Sequence, residues 1–186
     1  EACSRTRPPR IVMVVGASGT GKSSLLAAGL IGRGTAADGP LSHLVPVQST
    51  VRDLLSWKTP SDATLLVVDQ FEEIQQLRAT ETEELMDILC RLPEHVTCVI
   101  GLNANAVGSV LRQERLAPFL ASPVLVGPLT TAEYRQIIEV PARHHGRAVS
   151  TELTHVLIRD LHQYGYPDPG IVLPLLSNTL KRCWNA

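Results

Sequence analysis

Five short apolar runs recur in the chain up to residue 126, at positions 11–15, 44–48, 64–68, 96–102 and 124–126. The runs Ile11-Val12-Met13-Val14-Val15 and Thr64-Leu65-Leu66-Val67-Val68 are continuous rather than alternating. That pattern predicts strands buried on both faces, as in a parallel sheet between helical layers. The run at 44–48 is interrupted by Pro46, which cannot donate to a ladder, so it predicts a sheet edge. Between the runs the spacing turns helical, at 21–30, 80–92 and 107–116. Leu85, Ile88, Leu89 and Leu92 fall on one stripe, and Thr80 and Glu83 have the spacing of a capping box. Strand and helix in alternation predict an α/β fold with helices on both faces of a parallel sheet.

After Gly127-Pro128 the pattern becomes wholly helical. Thr130 and Glu133 form a second capping box, flanked by Leu129 and Tyr134 as a hydrophobic staple. Pro141 is expected to end or kink that helix. A helix at 151–163 is expected to turn Leu153, Val156, Leu157 and Leu161 inward. A turn rich in Pro and Gly (Pro167, Pro169, Gly170) then leads to a last helix at 173–184. The expected organisation is a linker at 1–10, an α/β domain at 11–128 and a small helical lid subdomain at 129–186, extending beyond this chain.

Composition narrows the function without naming it. Of 186 residues, 44% are hydrophobic and 19% charged, as in ordinary globular proteins. A net charge of −1 gives no general attraction to nucleic acid or to an anionic membrane. Cys3, Cys90, Cys98 and Cys183 form no C-x-x-C pair, so neither a zinc site nor a disulfide framework is expected, and a reducing cytoplasm is. No apolar run approaches the roughly 20 residues that span a bilayer.

The chemistry concentrates in Gly16-Ala17-Ser18-Gly19-Thr20-Gly21-Lys22-Ser23, a full match to G-x-x-x-x-G-K-[ST] between a predicted strand and a predicted helix. Gly16, Gly19 and Gly21 let the backbone curl until successive N–H groups, with those of Ser18 and Thr20, face one point. The helix that follows, through Ser24, aims its positive dipole end at the same point. Lys22 is one of only three lysines (with Lys58 and Lys181) in a chain whose cations are mostly arginine. Its ammonium suits the β- and γ-phosphates of a nucleotide, and the Ser23 hydroxyl suits Mg²⁺. A dinucleotide loop fits poorly, because Ser24 stands where the third glycine would be.

A second site follows the run at 64–68, in Asp69-Gln70-Phe71-Glu72-Glu73. A carboxylate at the carboxyl end of a buried parallel strand lies at the sheet edge where ligands bind. Asp69 is therefore placed to hold Mg²⁺ opposite Ser23, and either Glu72 or Glu73 to polarise an attacking water.

With these residues in hand, the sequence resembles the STAND class of P-loop NTPases, in particular the bacterial branch often joined to WD-repeat propellers. The resemblance rests on GASGTGKSSLLAAGL (16–30), LLVVDQFEEI (65–74), VLVGPLTTAEY (124–134), Pro141-Ala142 and LPLLSNTLKRCW (173–184). It implies a nucleotide-dependent regulatory switch with flanking effector and repeat domains, and nucleotide-dependent homo-oligomers; with Asn103 where an arginine is usual, ATP hydrolysis is expected to be slow or absent. It also implies that Pro174 packs near the adenine, although proline suits the first position of a helix in any protein and is equally expected there on that ground. The resemblance departs at Leu102-Asn103-Ala104-Asn105, where the branch usually carries an arginine and an aspartate. Asn103 can hydrogen-bond a γ-phosphate but adds no positive charge. Two other functions stay open: a nucleotide-binding interaction module without turnover, and a small-molecule P-loop kinase. His144-His145 lacks the acidic or thiol company of a metal site, and Trp57 and Trp184 read as packing residues.

Overall fold

The computed structural model describes residues 10–164 and 169–185; the expected linker therefore lies almost wholly outside the described residues, as does Pro167. Its contacts divide the chain into two compact units, one containing Lys22–Val126 with the strand before it, the other containing Ala17–Gly21 with the residues from Gly127 onward.

The first unit is a five-stranded sheet in the order β2-β3-β4-β1-β5, every pair parallel. The strands are β1 (Arg10–Gly16), β2 (Val45–Ser49), β3 (Thr64–Val68), β4 (Val96–Asn103) and β5 (Val124–Val126). All five residues of β3 are buried, as a continuous apolar run between two helical layers requires. Side chains alternate between two cores: Met13, Val15, Leu66, Val68, Cys98 and Ile100 join one, and Val14, Leu65, Val67 and Val99 the other. Each fully buried Leu or Val of this kind stabilises the fold by roughly 1.5–3 kcal/mol relative to exposure. β2, with Pro46, lies at one edge and β5 at the other. Burial pushes the Cys98 thiol up to about 12, which keeps it protonated and inert.

Several helical expectations are corrected by the fold. The helix expected at 21–30 is a short α1 (Lys22–Ser24) that widens into a π-helix over Leu25–Gly34, glycine-rich and therefore able to accept the looser turn. A single-turn helix α2 (Val51–Leu54) lies between β2 and β3, with a capping box at Thr50 and Asp53. Helix α3 (Ala79–Cys90) begins before the Thr80–Glu83 spacing suggested. Arg78 occupies the cap, its N–H donating to Glu81 at 2.8 Å. The hydrogen bond from the Arg78 side chain, above all, holds the Glu81 carboxyl down to about 2. Met86 joins Leu85, Leu89 and Leu92 in the core, whereas Ile88 is only half-buried. The helix expected at 107–116 is broken: 3₁₀ turns at Ala104–Ala106 and Glu114–Leu120 flank a single turn α4 (Val107–Val110). Gly108 and Pro118 both oppose a continuous helix there.

The second unit holds α5 (Thr131–His144), α6 (Thr151–Tyr164) and α7 (Val172–Asn185). The Thr130 hydroxyl and the Glu133 carboxylate cap α5 reciprocally, as the spacing predicts. The hydrogen bond from the Thr130 N–H, with that of its hydroxyl, holds the Glu133 carboxyl below its usual range. Helix α5 runs through Pro141 to His144, so the proline does not end it where expected. On α6 the buried residues are Thr154, Ile158 and Leu161; Leu153 and Val156 are exposed, contrary to expectation. Leu153 and Leu157 instead line an apolar cavity with Ile137 and Trp184. Tyr134, Ile138, Ile158, Leu161, Val172 and Leu176 form the core of this unit. Trp184 is 40% exposed, with the Arg147 guanidinium 4.8 Å over its ring. Trp57, by contrast, packs against the main core of the sheet unit. No helix among the described residues is long and apolar enough to cross a membrane.

Candidate functional site

The strand order creates the site. From β1 the chain crosses to β2 at one edge, and from the adjacent β4 it crosses to β5 at the other. Connections leaving neighbouring strands in opposite directions open a crevice outside their carboxyl ends, where ligands of such sheets bind. The loop after β1 emerges there and enters α1 at Lys22.

Two glycines of that loop adopt left-handed backbone, Gly19 at φ 71° and Gly21 at φ 90°. Such angles are nearly free for glycine and costly for any residue with a Cβ. Gly19 is constrained twice, because a Cβ there would lie 1.9 Å from the Gly170 carbonyl oxygen. The Thr20 hydroxyl donates to the Ala17 carbonyl at 2.9 Å and ties the turn together. Lys22 is buried, and its Nζ donates to the Gly16 carbonyl at 2.8 Å. The ammonium is thus folded back beside the loop rather than extended into solvent. Ser18, Ser23 and Ser24 are exposed.

The acidic segment leaves the end of β3. Asp69 Oδ1 accepts from the Gln70 N–H at 2.9 Å. Gln70 is the only non-glycine among the described residues with positive φ (55°), a strained conformation for a side chain of its size. Asp69 lies against β4 at Gly101, where a Cβ would come within 2.6 Å of Oδ1. Phe71 is fully buried and anchors the 3₁₀ turn Phe71–Gln76. Within that turn the two glutamates part company. Glu72 Oε2 accepts from the Asn103 backbone N–H at 3.0 Å; Glu73, half-buried like Glu72, donates its backbone N–H to the Gln70 carbonyl at 3.0 Å. Asn103 uses its Oδ1 to accept from the Asn105 N–H at 3.0 Å.

The sheet unit therefore brings Gly16, Lys22, Asp69, Glu72 and Asn103 to the carboxyl ends of adjoining strands. Pro174 is the third residue of α7 in the helical unit and is exposed. It is not the first residue of its helix, as the proline rule suggested, yet its missing N–H still falls among those without an intrahelical partner. Sequence reasoning missed Gly101, which admits the Asp69 carboxylate, and Gln70, whose strain has no compositional signal.

For a metal, the Ser23 hydroxyl and the Asp69 carboxylate are hard oxygen donors, which suits Mg²⁺ completed by phosphate and water. No group of three or more His, Cys, Asp or Glu suited to a metal occurs among the described residues. His145 instead meets Trp184 edge-on, with ring centroids 5.2 Å apart.

The sequence matches the novel STAND NTPase 1 family over residues 1–58 and 36–186. The chain belongs to that family. As a novel STAND NTPase it is built around an NTPase-type nucleotide-binding module, in line with the loop after β1. No curated protein sequence matches the chain. Among solved structures it is similar to domain III of the Thermotoga maritima replication initiation protein DnaA, with TM-score 0.60 and 13% identity over 86% of this chain and 72% of that one. It is also similar to AMPPCP-bound DnaA from Aquifex aeolicus (TM-score 0.56, 15% identity, 89% of this chain and 58% of that one). A DnaA bound to AMPPCP and single-stranded DNA gives TM-score 0.53 at 16% identity, over 80% of this chain and 50% of that one. The chain thus spans 50% and 58% of the length of the two AMPPCP-bound relatives, and at these identities the likeness concerns the fold.

Proposed function

We propose that this STAND NTPase domain binds Mg-ATP and Mg-ADP on the loop 16–23 and serves as a nucleotide-dependent regulatory switch within a larger cytoplasmic protein. The observation that carries the proposal is the loop itself: two left-handed glycines and a buried lysine at the carboxyl end of a central parallel strand. Backbone N–H groups from Gly16 to Ser24 cradle the phosphates. Lys22 exchanges the Gly16 carbonyl for β- and γ-phosphate oxygens. Ser23 and Asp69 hold Mg²⁺, which supplies charge neutralisation on those oxygens. One glutamate, Glu72 or Glu73, takes the proton of the attacking water, and Asn103 orients the γ-phosphate. Pro174 covers the base, its rigid ring losing little entropy on contact. The AMPPCP bound to the DnaA relatives favours an adenine nucleotide. Flanking effector and repeat domains receive the switch, with homo-oligomerisation in the triphosphate state.

Titration calorimetry with Mg-ATP and Mg-ADP, paired with γ-phosphate release, tests the proposal. Binding of both nucleotides with slow release is expected; failure to bind any nucleoside triphosphate overturns it. A second reading, stable binding without turnover, is favoured by Asn103: it is neutral, and its Oδ1 already serves the Asn105 N–H. Binding without phosphate release would select it.

A further inference from the structure

Glu72 and Glu73 are chemically identical neighbours, and the fold gives them different work. Glu72 spans from the turn after β3 to the last residue of β4, accepting the Asn103 N–H. Asn103 is paired in register with Gly16, the last residue of β1. The Gly16 carbonyl in turn accepts the Lys22 ammonium at 2.8 Å. One line of contacts therefore runs from the acidic turn, across the end of β4, to the base of the glycine loop and its lysine. β4 needs such a clamp there. β3 stops pairing at Val68 opposite Ile100, so Gly101, Leu102 and Asn103 extend past β3 with β1 as their strand partner. On the β3 side the Asn103 N–H is satisfied by Glu72 rather than by a strand.

We infer that Glu72 is a positioning residue, a carboxylate clamp that sets the end of β4 against Gly16 at the end of β1, and that Glu73 is the residue that activates water. The inference rests on the nucleotide-site reading above for the role of Glu73. The clamp itself does not depend on it. A carboxylate that holds the Asn103 N–H cannot swing to a water without freeing Asn103. Glu73, next along the same turn, has no such commitment to β4.

The test exploits the fact that glutamine keeps a carbonyl oxygen for the Asn103 N–H but cannot take a proton. In hydrogen exchange on the nucleotide-free protein, Glu72→Ala is expected to speed exchange of the Asn103 amide by tenfold or more, as for loss of a protecting hydrogen bond. Glu72→Gln is expected to restore most of that protection, and Glu73→Gln to leave it alone. In phosphate release, Glu73→Gln is expected to lower kcat by about 100-fold or more with KM little changed. Glu72→Ala should lower kcat and raise KM together, with substantial rescue in Glu72→Gln. If the wild type binds nucleotide without turnover, the ratio of ATP to ADP affinity replaces kcat. It should fall in Glu72→Ala and recover in Glu72→Gln. Unchanged Asn103 exchange in Glu72→Ala overturns the clamp. Equal loss of turnover in Glu72→Gln and Glu72→Ala, with Glu73→Gln active, overturns the division of roles. Absence of any nucleotide binding would sink the site reading while the exchange result still decides the clamp.

Discussion

The loops after β1 and β3 both turn the chain sharply off the end of a buried parallel strand, and they do so by opposite means. The first uses glycine: Gly19 and Gly21 take left-handed angles without strain, and the loop presents backbone. The second contains no glycine; Gln70 takes the left-handed angle, and neighbouring side chains hold it there. Asp69 accepts the Gln70 N–H, Phe71 is buried beneath, and Glu72 reaches β4. On the proposed reading, a loop that surrounds an anion must keep side chains away. A loop whose function is to present carboxylates must fix them, and accepts backbone strain of about 1–3 kcal/mol to do so.

Substitutions break or sharpen this contrast in decreasing order of effect. Lys22→Ala should abolish Mg-nucleotide binding, since the loop then lacks its one cation. Nucleotide at about 100 times its dissociation constant should stabilise the wild type by ~2.7 kcal/mol and the variant not at all. Thermal melts with and without Mg-ATP measure this, and equal shifts would remove Lys22 from the site.

Gly19→Ala comes next. The left-handed angle alone costs roughly 1–2 kcal/mol, and the added Cβ would overlap the Gly170 carbonyl. Denaturant unfolding should register the loss, whereas Gly108→Ala, which meets nothing within 4 Å, should be neutral or slightly stabilising. Similar behaviour of the two variants would mean that the loop does not require a glycine at position 19.

Asp69→Asn should raise the Mg²⁺ concentration needed for half-maximal nucleotide binding by about tenfold, because an amide offers a divalent cation less field than a carboxylate. Nucleotide affinity measured without metal should stay as it was. An unaltered Mg²⁺ requirement would take Asp69 out of the metal site. Gln70→Gly has the smallest effect and the opposite sign. Relief of the left-handed strain, less the extra entropy of glycine, should stabilise the protein by ~0.5–1 kcal/mol. That is a few degrees in melting temperature for a chain of this size. A destabilised variant would show that the Gln70 side chain contributes more than its backbone costs.

Much of this was legible in the residues. The continuous apolar run of β3 marks a doubly covered strand because burial on both faces leaves no polar positions; the equally continuous run of β1 is covered only from Met13 onward, with Val12 exposed. Pro46 marks the edge because it has no N–H to give a neighbour. The Thr130–Glu133 box was readable because capping is local, but spacing alone is not enough: Thr80 and Glu83 have the same spacing, and α3 is capped at Arg78 instead. The helical faces were less legible. Leu153 and Val156 look inward by periodicity but are exposed, while Thr154 and Ile158 are buried beside Leu161, which was expected to be. Apolar content on both sides of that helix left its orientation to its neighbours α5 and α7.

The sequence alone therefore determined the parallel sheet with its edge at Pro46, the cap of α5 and the glycine–lysine loop, because each rests on short-range stereochemistry: strand burial, φ freedom, cap spacing. Only the tertiary structure decided which glutamate is tied and which is not, why position 101 must be glycine, and where Asp69 lies. Those depend on β3 and β4 lying side by side in one register, with β4 running three residues further along β1. Residues 31 apart in the chain, Glu72 and Asn103, become hydrogen-bond partners only when that register exists.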